Sequence, residues 1–561
     1  MKRLLYTLLG ASLLLTSCFK DEGNYDYQEL NPPHWMQDYV STPLTLVGSK
    51  DGGKINFKGS SMFVWDSEPE ERAKQFRYEW VFNNKVVSED LDFEMTAEEL
   101  MQRSGITEYN ASKSYVGTFN VVDRNTGVSF MARLQLWLYP FYAPYDWFIL
   151  ADDGGKTNLA SVRVRGVQED GVVKNQYTVM DYAYEHHNGG ASIPGKPVFM
   201  SWSLSPHVAS QGSITVLTDQ VSYELKGDDL AFYGDLKDQF LDGTPANFRP
   251  VSRADIDRSS EDVPPCTFLV NQDGKVYTRI MSANYLGGKF LSEPYEIDGK
   301  GYEIDFFGRG RFGGSLPAYD RKNRRFITAN VWRQEINHGG MGNSTYVFRT
   351  NMTPAKEDNS LATLPLYGFP EGTEVVNVTI TNHNTMVSGT NVLHTIFYVK
   401  PGEEVTNVAD FQVDNRSMRV STSYIMDFKK MQIPKKLTKE NQILVSCNSR
   451  RGGTFDNAKY RTYISFGNKL MYIDRDRSFM NSRFTSDYFP NTNYTFPSKI
   501  TCLTYDFYYY DKLLVGCENG EFFIFDVTQL RNPILEYQGK VKGKILSFKQ
   551  LGVRTGNHDN Y

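Results

Sequence analysis

The sequence predicts an all-β protein: an N-terminal Ig-like β-sandwich followed by a β-propeller of about seven blades. Three observations predict it. Strand–turn–strand units recur along most of the chain, with Asn-Gly or Asp-Gly pairs at several of the turns. Aromatic residues make up 14%, with 35 Tyr and 36 Phe, and aromatics favour the half-buried pleated surface of a strand. Helical periodicity is nearly absent.

The first segment is not part of that fold. Met1-Lys2-Arg3 is a positive end, and Leu4 to Leu15 is apolar apart from Tyr6, Thr7, Gly10 and Ser12. Thr16-Ser17-Cys18 closes the stretch. This is the layout of a secretory signal over residues 1–17, and the apolar part is too short for the roughly 20 residues that a membrane-spanning helix needs. Leu15-Thr16-Ser17-Cys18 resembles the bacterial lipobox. That resemblance implies that the Cys18 thiol is joined to diacylglycerol, that the peptidase grips Leu15, Thr16 and Ser17 and cuts before Cys18, and that the new N-terminus is acylated again. Each buried CH2 of such chains contributes about 0.8 kcal/mol to anchoring. Phe19 is followed by Lys20-Asp21-Glu22, which resembles the export signal of surface-facing Bacteroidota lipoproteins and implies display outside the outer membrane.

Residues 18–33 form a lipidated tether that ends in Pro32-Pro33. Residues 34–142 read as the sandwich. Phe76 to Phe82 alternates with period two, Asn83-Asn84 turns, and Lys85-Val86-Val87 follows. A short helix is predicted over Thr96 to Met101, with Thr96 as N-cap and Glu98 and Glu99 in the first turn. Tyr115 to Asp123 alternates again, Asn125-Thr126-Gly127 turns, and Val128 to Leu138 returns. The Trp-bearing strand, the Y-x-G-x-F-x-V-x-D strand and the Thr-Gly hairpin look like an Ig-type sandwich. Together with Gly23-Asn24-Tyr25-Asp26-Tyr27, they resemble the Bacteroidota PKD-like lipoproteins. Such modules act as spacers or docking pieces.

Tyr139-Pro140 through Pro144 marks a boundary, and residues 143–552 read as the propeller, with a polar tail at 553–561. Hairpins turn at Asp152 to Gly155, Thr218 to Gln220, Asp273-Gly274, Gly467-Asn468 and Asn519-Gly520, and further ones fit at 325–350 and 394–413. Asn-Gly and Asp-Gly suit turns in which both central residues take positive φ. Each hairpin is expected to be the inner hairpin of a blade. About seven units of roughly 57 residues fill 147–548, longer than regular propeller repeats, so long loops are expected. Several stacked sandwiches are the second choice. Radial closure is the more economical because it leaves only short protected edges.

Candidate sites were weighed against packing roles. His186-His187 lies in a Gly-rich loop where the two rings can share a metal, although a metal site is not the expected outcome. Asn337 to Asn343 is Gly-rich but lacks the Lys-Ser/Thr ending of a phosphate loop. Asp474-Arg475-Asp476-Arg477 lacks the Gly and Glu of a calcium loop and reads as a salt-bridged strand end. Asp506 to Asp511 is read as a connecting loop whose Tyr508, Tyr509 and Tyr510 either pack between blades or offer a stacking shelf to a ligand. Trp332 and Trp202 carry a similar alternative, and each reads as core rather than as a ligand platform. No GxSxG or HExxH is present, and no catalytic residue, metal or cofactor is assigned. The carboxylate pair of a glycosidase is set in space and not along the chain. Cys266, Cys447, Cys502 and Cys517 show no CxxC spacing and read as buried thiols, with Cys502 and Cys517 on neighbouring β segments.

Loss of residues 1–17 removes Lys2 and Arg3 from 61 basic residues against 66 acidic, leaving about −7 and no basic run for a nucleic acid. The family resemblance implies an accessory surface lipoprotein beside a SusC/SusD-type importer and other surface lipoproteins, binding an oligosaccharide or peptide or bracing the complex. The competing classes are a surface hydrolase or lyase on the propeller and a purely structural subunit.

Overall fold

The computed structural model describes residues 32–552, except 67–68, 170–171, 204–211, 257–264, 283–284, 309–314, 338–343, 357–363, 383–390, 415–419, 427–431, 446–460, 475–482, 486–493, 507–511 and 529–532. The chain divides into two compact units, the first ending at Leu136 and the second running from Trp137, with Ser49–Gly52 and Glu108–Ser114 also counted in the second.

The first unit is a sandwich. One sheet has five strands in the order Leu44–Ser49, Ser129–Tyr139, Asn110–Asp123, Phe76–Phe82 and Lys85–Ser88. The facing pair is Lys54–Lys58 with Asp92–Thr96. Between them Trp80 is fully buried, with Phe119 at 4.3 Å and Phe57 at 5.2 Å between ring centroids. Asn83 and Asn84 turn the hairpin with φ of 50° and 61°, which Asn tolerates better than most residues. Gly117 is required because a Cβ there would sit 2.4 Å from the Phe82 ring and 2.7 Å from the Val81 carbonyl. The expected short helix runs Ala97–Ser104, a little longer than the sequence suggested. Thr96 caps it in a capping box with Glu99, and Gly105 ends it with φ of 72°.

The second unit is built from seven antiparallel sheets, which we number 1 to 7 around the chain. Sheet 1 runs, in order of pairing, Lys544–Gln550, Trp147–Asp153, Lys156–Glu169, Val172–Met180. Sheet 2 is Pro197–Ser203, Ser213–Thr218, Ser222–Lys226, Phe232–Asp235, and sheet 3 is Pro250–Ile256, Cys266–Asn271, Val276–Ile280. Sheet 4 is Ile304–Phe307, Ser315–Asp320, Arg325–Asn337, Ser344–Pro354. Sheet 5 begins Glu374–Asn382, Asn391–Val399, Thr406–Asp414, sheet 6 is Ile443–Val445, Arg461–Phe466, Lys469–Asp474, Arg483–Thr485, and sheet 7 is Ile500–Tyr505, Lys512–Cys517, Glu521–Asp526, Ile534–Lys540.

Among the described residues no sheet closes on itself; the ring closes by packing of sheet on sheet. A buried apolar cluster fills each successive gap. Trp147, Ile149 and Phe522 lie between sheets 7 and 1, Leu150 and Val216 between 1 and 2, and Leu217 and Leu269 between 2 and 3. Phe268 and Ile327 join 3 to 4, Phe326 and Phe411 join 4 to 5, Phe397 and Ile464 join 5 to 6, and Tyr463 and Phe523 join 6 to 7. The architecture is therefore a seven-sheet propeller. The run Trp147 to Ala151 is wholly buried because alternate residues point to opposite faces and both faces meet a neighbour. Trp147, Ile149 and Ala151 join the cluster against sheet 7, and Phe148 and Leu150 the one against sheet 2.

Two details correct the sequence reading, and the reading of Cys502 and Cys517 as buried thiols on neighbouring strands holds. The predicted hairpins are not innermost in the blades. In sheets 1, 2, 3, 5, 6 and 7 they are the second and third strands, and 325–350 supplies the third and fourth strands of sheet 4. The inner position falls to the first strand, since the first strands of sheets 7 and 1, 1 and 2, 2 and 3, 5 and 6, and 6 and 7 adjoin. His186-His187 is not loop but the end of a short helix, Ala183–His187. Cys502 and Cys517 do lie on paired strands, but on opposite faces. Cys502 packs toward sheet 1 and Cys517 toward sheet 6, so both are free thiols, as is Cys266.

The gap between sheets 2 and 3 is unlike the rest. Beside its small apolar cluster lies a sealed charge network. Arg253 Nη1 donates to Glu224 Oε1 at 3.1 Å, Arg253 Nε to both Asp255 oxygens at 2.9 Å, and Arg279 Nη2 to Glu224 Oε1 at 2.8 Å. Ser203, Thr215, Thr267 and Gln239 complete it. Burial alone would raise the Glu224 carboxyl, but Arg279 and Arg253 overcome this and hold it at about 2. The two guanidiniums and two carboxylates balance, and each pairs with another, so the network braces the two sheets.

Two predictions follow from this packing. Arg253→Ala strands the buried Asp255 carboxylate, leaves Glu224 to Arg279 and Gln239, and should cost about 3–5 kcal/mol in a denaturant melt. Because the Glu224 carboxyl lies below its ordinary 4.5, its contribution to stability is full above about pH 4.5 and is lost as pH falls toward 2, a dependence that a melt series should show weakened in Arg253→Ala, where Arg279 remains, and further weakened when Arg279 is also replaced. Separately, burial raises the Cys266 and Cys517 thiols, so thiol labelling followed by mass spectrometry should leave Cys266, Cys502 and Cys517 unmodified in the native chain and label all three in denaturant.

Candidate functional site

The residues singled out in the sequence do not converge. Leu15, Thr16, Ser17, Cys18, Lys20, Asp21 and Glu22, and Tyr508, Tyr509 and Tyr510, lie outside the described residues. The flanking strands end at Tyr505 and start again at Lys512, so the Tyr-rich stretch is a connection between the first and second strands of sheet 7. Trp332 is on the third strand of sheet 4, opposite Arg349. Trp202 is core, in the cluster between sheets 1 and 2. His187 is pushed down to about 4 by burial and by His186. Its ring meets those of Phe141 and Tyr142 at 4.4 and 5.3 Å, and its Nε2 lies 3.1 Å from the Tyr142 hydroxyl. This is an aromatic packing role. Among the described residues no group of three His, Cys, Asp or Glu side chains is placed to hold a metal ion.

What the ring does bring together is its inner rim. In six of the seven sheets the pairing of first with second strand slips by one residue, leaving Leu546, Val198, Val251, Asp305, Val376 or Thr501 as the extra residue of the first strand. Such bulges bend a strand and re-aim a side chain. In sheets 2, 3, 4 and 7 the slip falls at the second residue of the strand and in sheets 1 and 5 at the third, so the extra side chains gather toward one end of the ring. Val376 turns into the cluster between sheets 5 and 6. Val198 and Val251 are left 42% and 38% exposed, Val198 in a strand otherwise largely buried and Val251 in one that is mostly half-buried. Leu546, Thr501 and Asp305 are half-buried.

Charges cross the same rim. Lys439, just before the first strand of sheet 6, pairs with Asp305 of sheet 4. Sheet 5 stands between these two in the ring, so the pair spans the place of its first strand. Lys499, just before the first strand of sheet 7, donates to Glu440 at 2.7 Å. That hydrogen bond raises the Lys499 ammonium and lowers the Glu440 carboxyl. The rim therefore has two arcs. Val198 and Val251, from the neighbouring sheets 2 and 3, make an aliphatic arc, with Leu546 of sheet 1 packed behind it against the cluster between sheets 1 and 2. Asp305–Lys439 and Glu440–Lys499, from sheets 4, 6 and 7, make an arc of ion pairs. Both acids are engaged by lysines. Sequence reasoning missed these residues. The signal was a one-residue break in alternation, as in Pro197-Val198-Phe199-Met200, and it has meaning only once the partner strand is known.

Comparison with known proteins bears on the first unit. No curated protein matches the chain. Among solved structures, AztD from Citrobacter koseri aligns over 86% of this chain and 100% of its own, at 11% identity and a TM-score of 0.34. The Nup133 β-propeller domain of Vanderwaltozyma polyspora aligns over 73% of this chain and 96% of its own, at 11% identity and a TM-score of 0.33. Likenesses this distant carry no argument about function, and the propeller assignment rests on the seven sheets and their packing. The PKD-like family matches residues 18–197, reaching from before the sandwich through sheet 1. The chain thus carries a PKD-like family domain in its N-terminal third.

Proposed function

We propose that this chain is a lipoprotein of the bacterial cell surface, anchored in the outer membrane through Cys18, and that it serves as the accessory ligand-binding or scaffold subunit of a SusC/SusD-type nutrient importer. The observation that carries the reading is Leu15-Thr16-Ser17-Cys18 at the end of a positive, apolar leader. It calls for a lipid on that thiol, and more than one acyl chain gives a lasting anchor. Lys20-Asp21-Glu22 directs the anchored chain outward. The PKD-like domain over residues 18–197 supports the kinship with surface lipoproteins that work beside importers. The rim of the propeller adds a surface suited to binding.

Two measurements test this. A Cys18→Ala chain should leave the membrane fraction and lose the mass of the lipid by intact-protein mass spectrometry; retention in the membrane would sink the anchor. A tagged native chain, extracted gently from outer membranes, should bring a SusC/SusD-type pair with it in near-stoichiometric amount. Recovery of the chain alone would remove the importer from the proposal.

A further inference from the structure

The proposal above leaves the ligand open between glycan and peptide. Taking that reading as its basis, we infer that the rim of the propeller takes an oligopeptide and holds it through an aliphatic side chain. The inference rests on which side chains the bulges present. Of the extra residues of consecutive sheets 1, 2 and 3, Leu546 packs against the cluster between sheets 1 and 2, while Val198 and Val251 stay exposed and make up the presented aliphatic surface. A sugar is held by an aromatic face with a dense set of polar groups around it, and no bulge position is aromatic. An aliphatic arc offers a sugar neither stacking nor hydrogen bonds. To a Leu, Ile or Val side chain it offers removal of apolar area from water, the main source of affinity for such a group.

The opposite arc fits the rest of a peptide. Asp305–Lys439 and Glu440–Lys499 set both signs of charge at the rim, which matches a chain with one ammonium and one carboxylate end. Exposed lysine and acid pairs of this kind contribute little to stability, so rearranging onto a ligand costs the fold little. The first strands also end their sheets on the ring side, each pairing with the second strand of its own sheet, and an extended peptide recognises the main chain of such an edge.

The test uses the full-length lipoprotein in detergent. A peptic digest of casein, an unbiased peptide pool, is equilibrated with the protein, and the retained peptides are read by mass spectrometry. Maltoheptaose and xylohexaose are titrated in parallel. Retained peptides should be enriched in Leu, Ile and Val, the two sugars should not bind, and Val198→Ser with Val251→Ser should weaken retention about tenfold or more, the scale of losing two apolar contacts, with an unchanged melting temperature. Val251→Thr, equal in shape, is a second variant that keeps the fold and should weaken retention in the same direction. Retention without aliphatic bias, retention unaffected by both variants, or sugar binding that the valine changes abolish would each overturn the inference. Its failure is separable from failure of the importer reading. An importer that co-purifies with a chain retaining no peptide keeps that reading and discards this one, and a chain that retains peptides but comes alone does the reverse.

Discussion

The second unit depends on one pairing. Lys544–Gln550, near the end of the chain, lies antiparallel to Trp147–Asp153, near its start, from Trp147 against Gln550 to Asp152 against Lys544. Every other sheet of the unit is made from consecutive strands, so among the described residues this is the one strand pairing that joins the ends of the array. It is reinforced where the strands meet the preceding segment. Leu551 N–H donates to the Asp146 carbonyl at 2.9 Å, and the buried Asp146 carboxylate receives Arg165 at 2.6 Å and the Val164 N–H at 2.8 Å. Without the last strand, Trp147–Asp153 would be an open edge, a poor state for a strand apolar on both faces. The clusters on its two sides would open as well, and the first strands would no longer face one another. The rim is a consequence of closure.

That dependence explains what the sequence could and could not show. The second and third strands were legible because their information is local. A turn such as Asn519-Gly520, with φ of 85° at the glycine, identifies itself, and the flanking apolar runs are short enough to be strands. Thr96 was legible as a cap for the same reason. The first strands were not. Ile443–Val445 has three residues and Ile304–Phe307 four, and several are separated from their partners by long connections. Their place inside the blade comes from the neighbouring sheets, which no local pattern encodes. The closing pair is separated by nearly the whole unit and is invisible to any window. His186-His187 was misjudged because the glycines that suggested a loop, Gly189 and Gly190, follow the helix and end it, with φ of 65° and 88°.

The site was less legible than the fold, and the reason is chemical as well as geometric. Aromatic content drew attention to possible stacking surfaces, but most of the aromatic rings described here pack against each other within the sandwich or between sheets. Tyr463 and Phe523, for example, lie in one buried cluster between sheets 6 and 7. The composition was answering a question about the core. The rim residues are Val, Leu, Thr, Asp and Lys, ordinary in type and scattered over more than 300 positions from Val198 to Leu546. Lys439 and Asp305 belong to sheets that are not neighbours, so their pairing is a property of the closed ring alone.

The ring is also uneven, and the unevenness bears on binding. Seven similar sheets have no inherent front or back around the axis, so a site that orients an extended ligand must break the equivalence. Here the sequence breaks it twice in the same region. Sheets 1 to 3 carry the aliphatic bulges, and the gap between sheets 2 and 3 replaces most of its apolar filling with the Arg253, Glu224, Asp255 and Arg279 network. Directional hydrogen bonds fix two sheets in one relative position, where apolar contacts tolerate small slides. Val198 and Val251, on the first strands of those two sheets, are thereby held at a set separation. A rim built only on apolar packing would let the two first strands slide past each other, and the exposed valines near their starts would lose a fixed relative position.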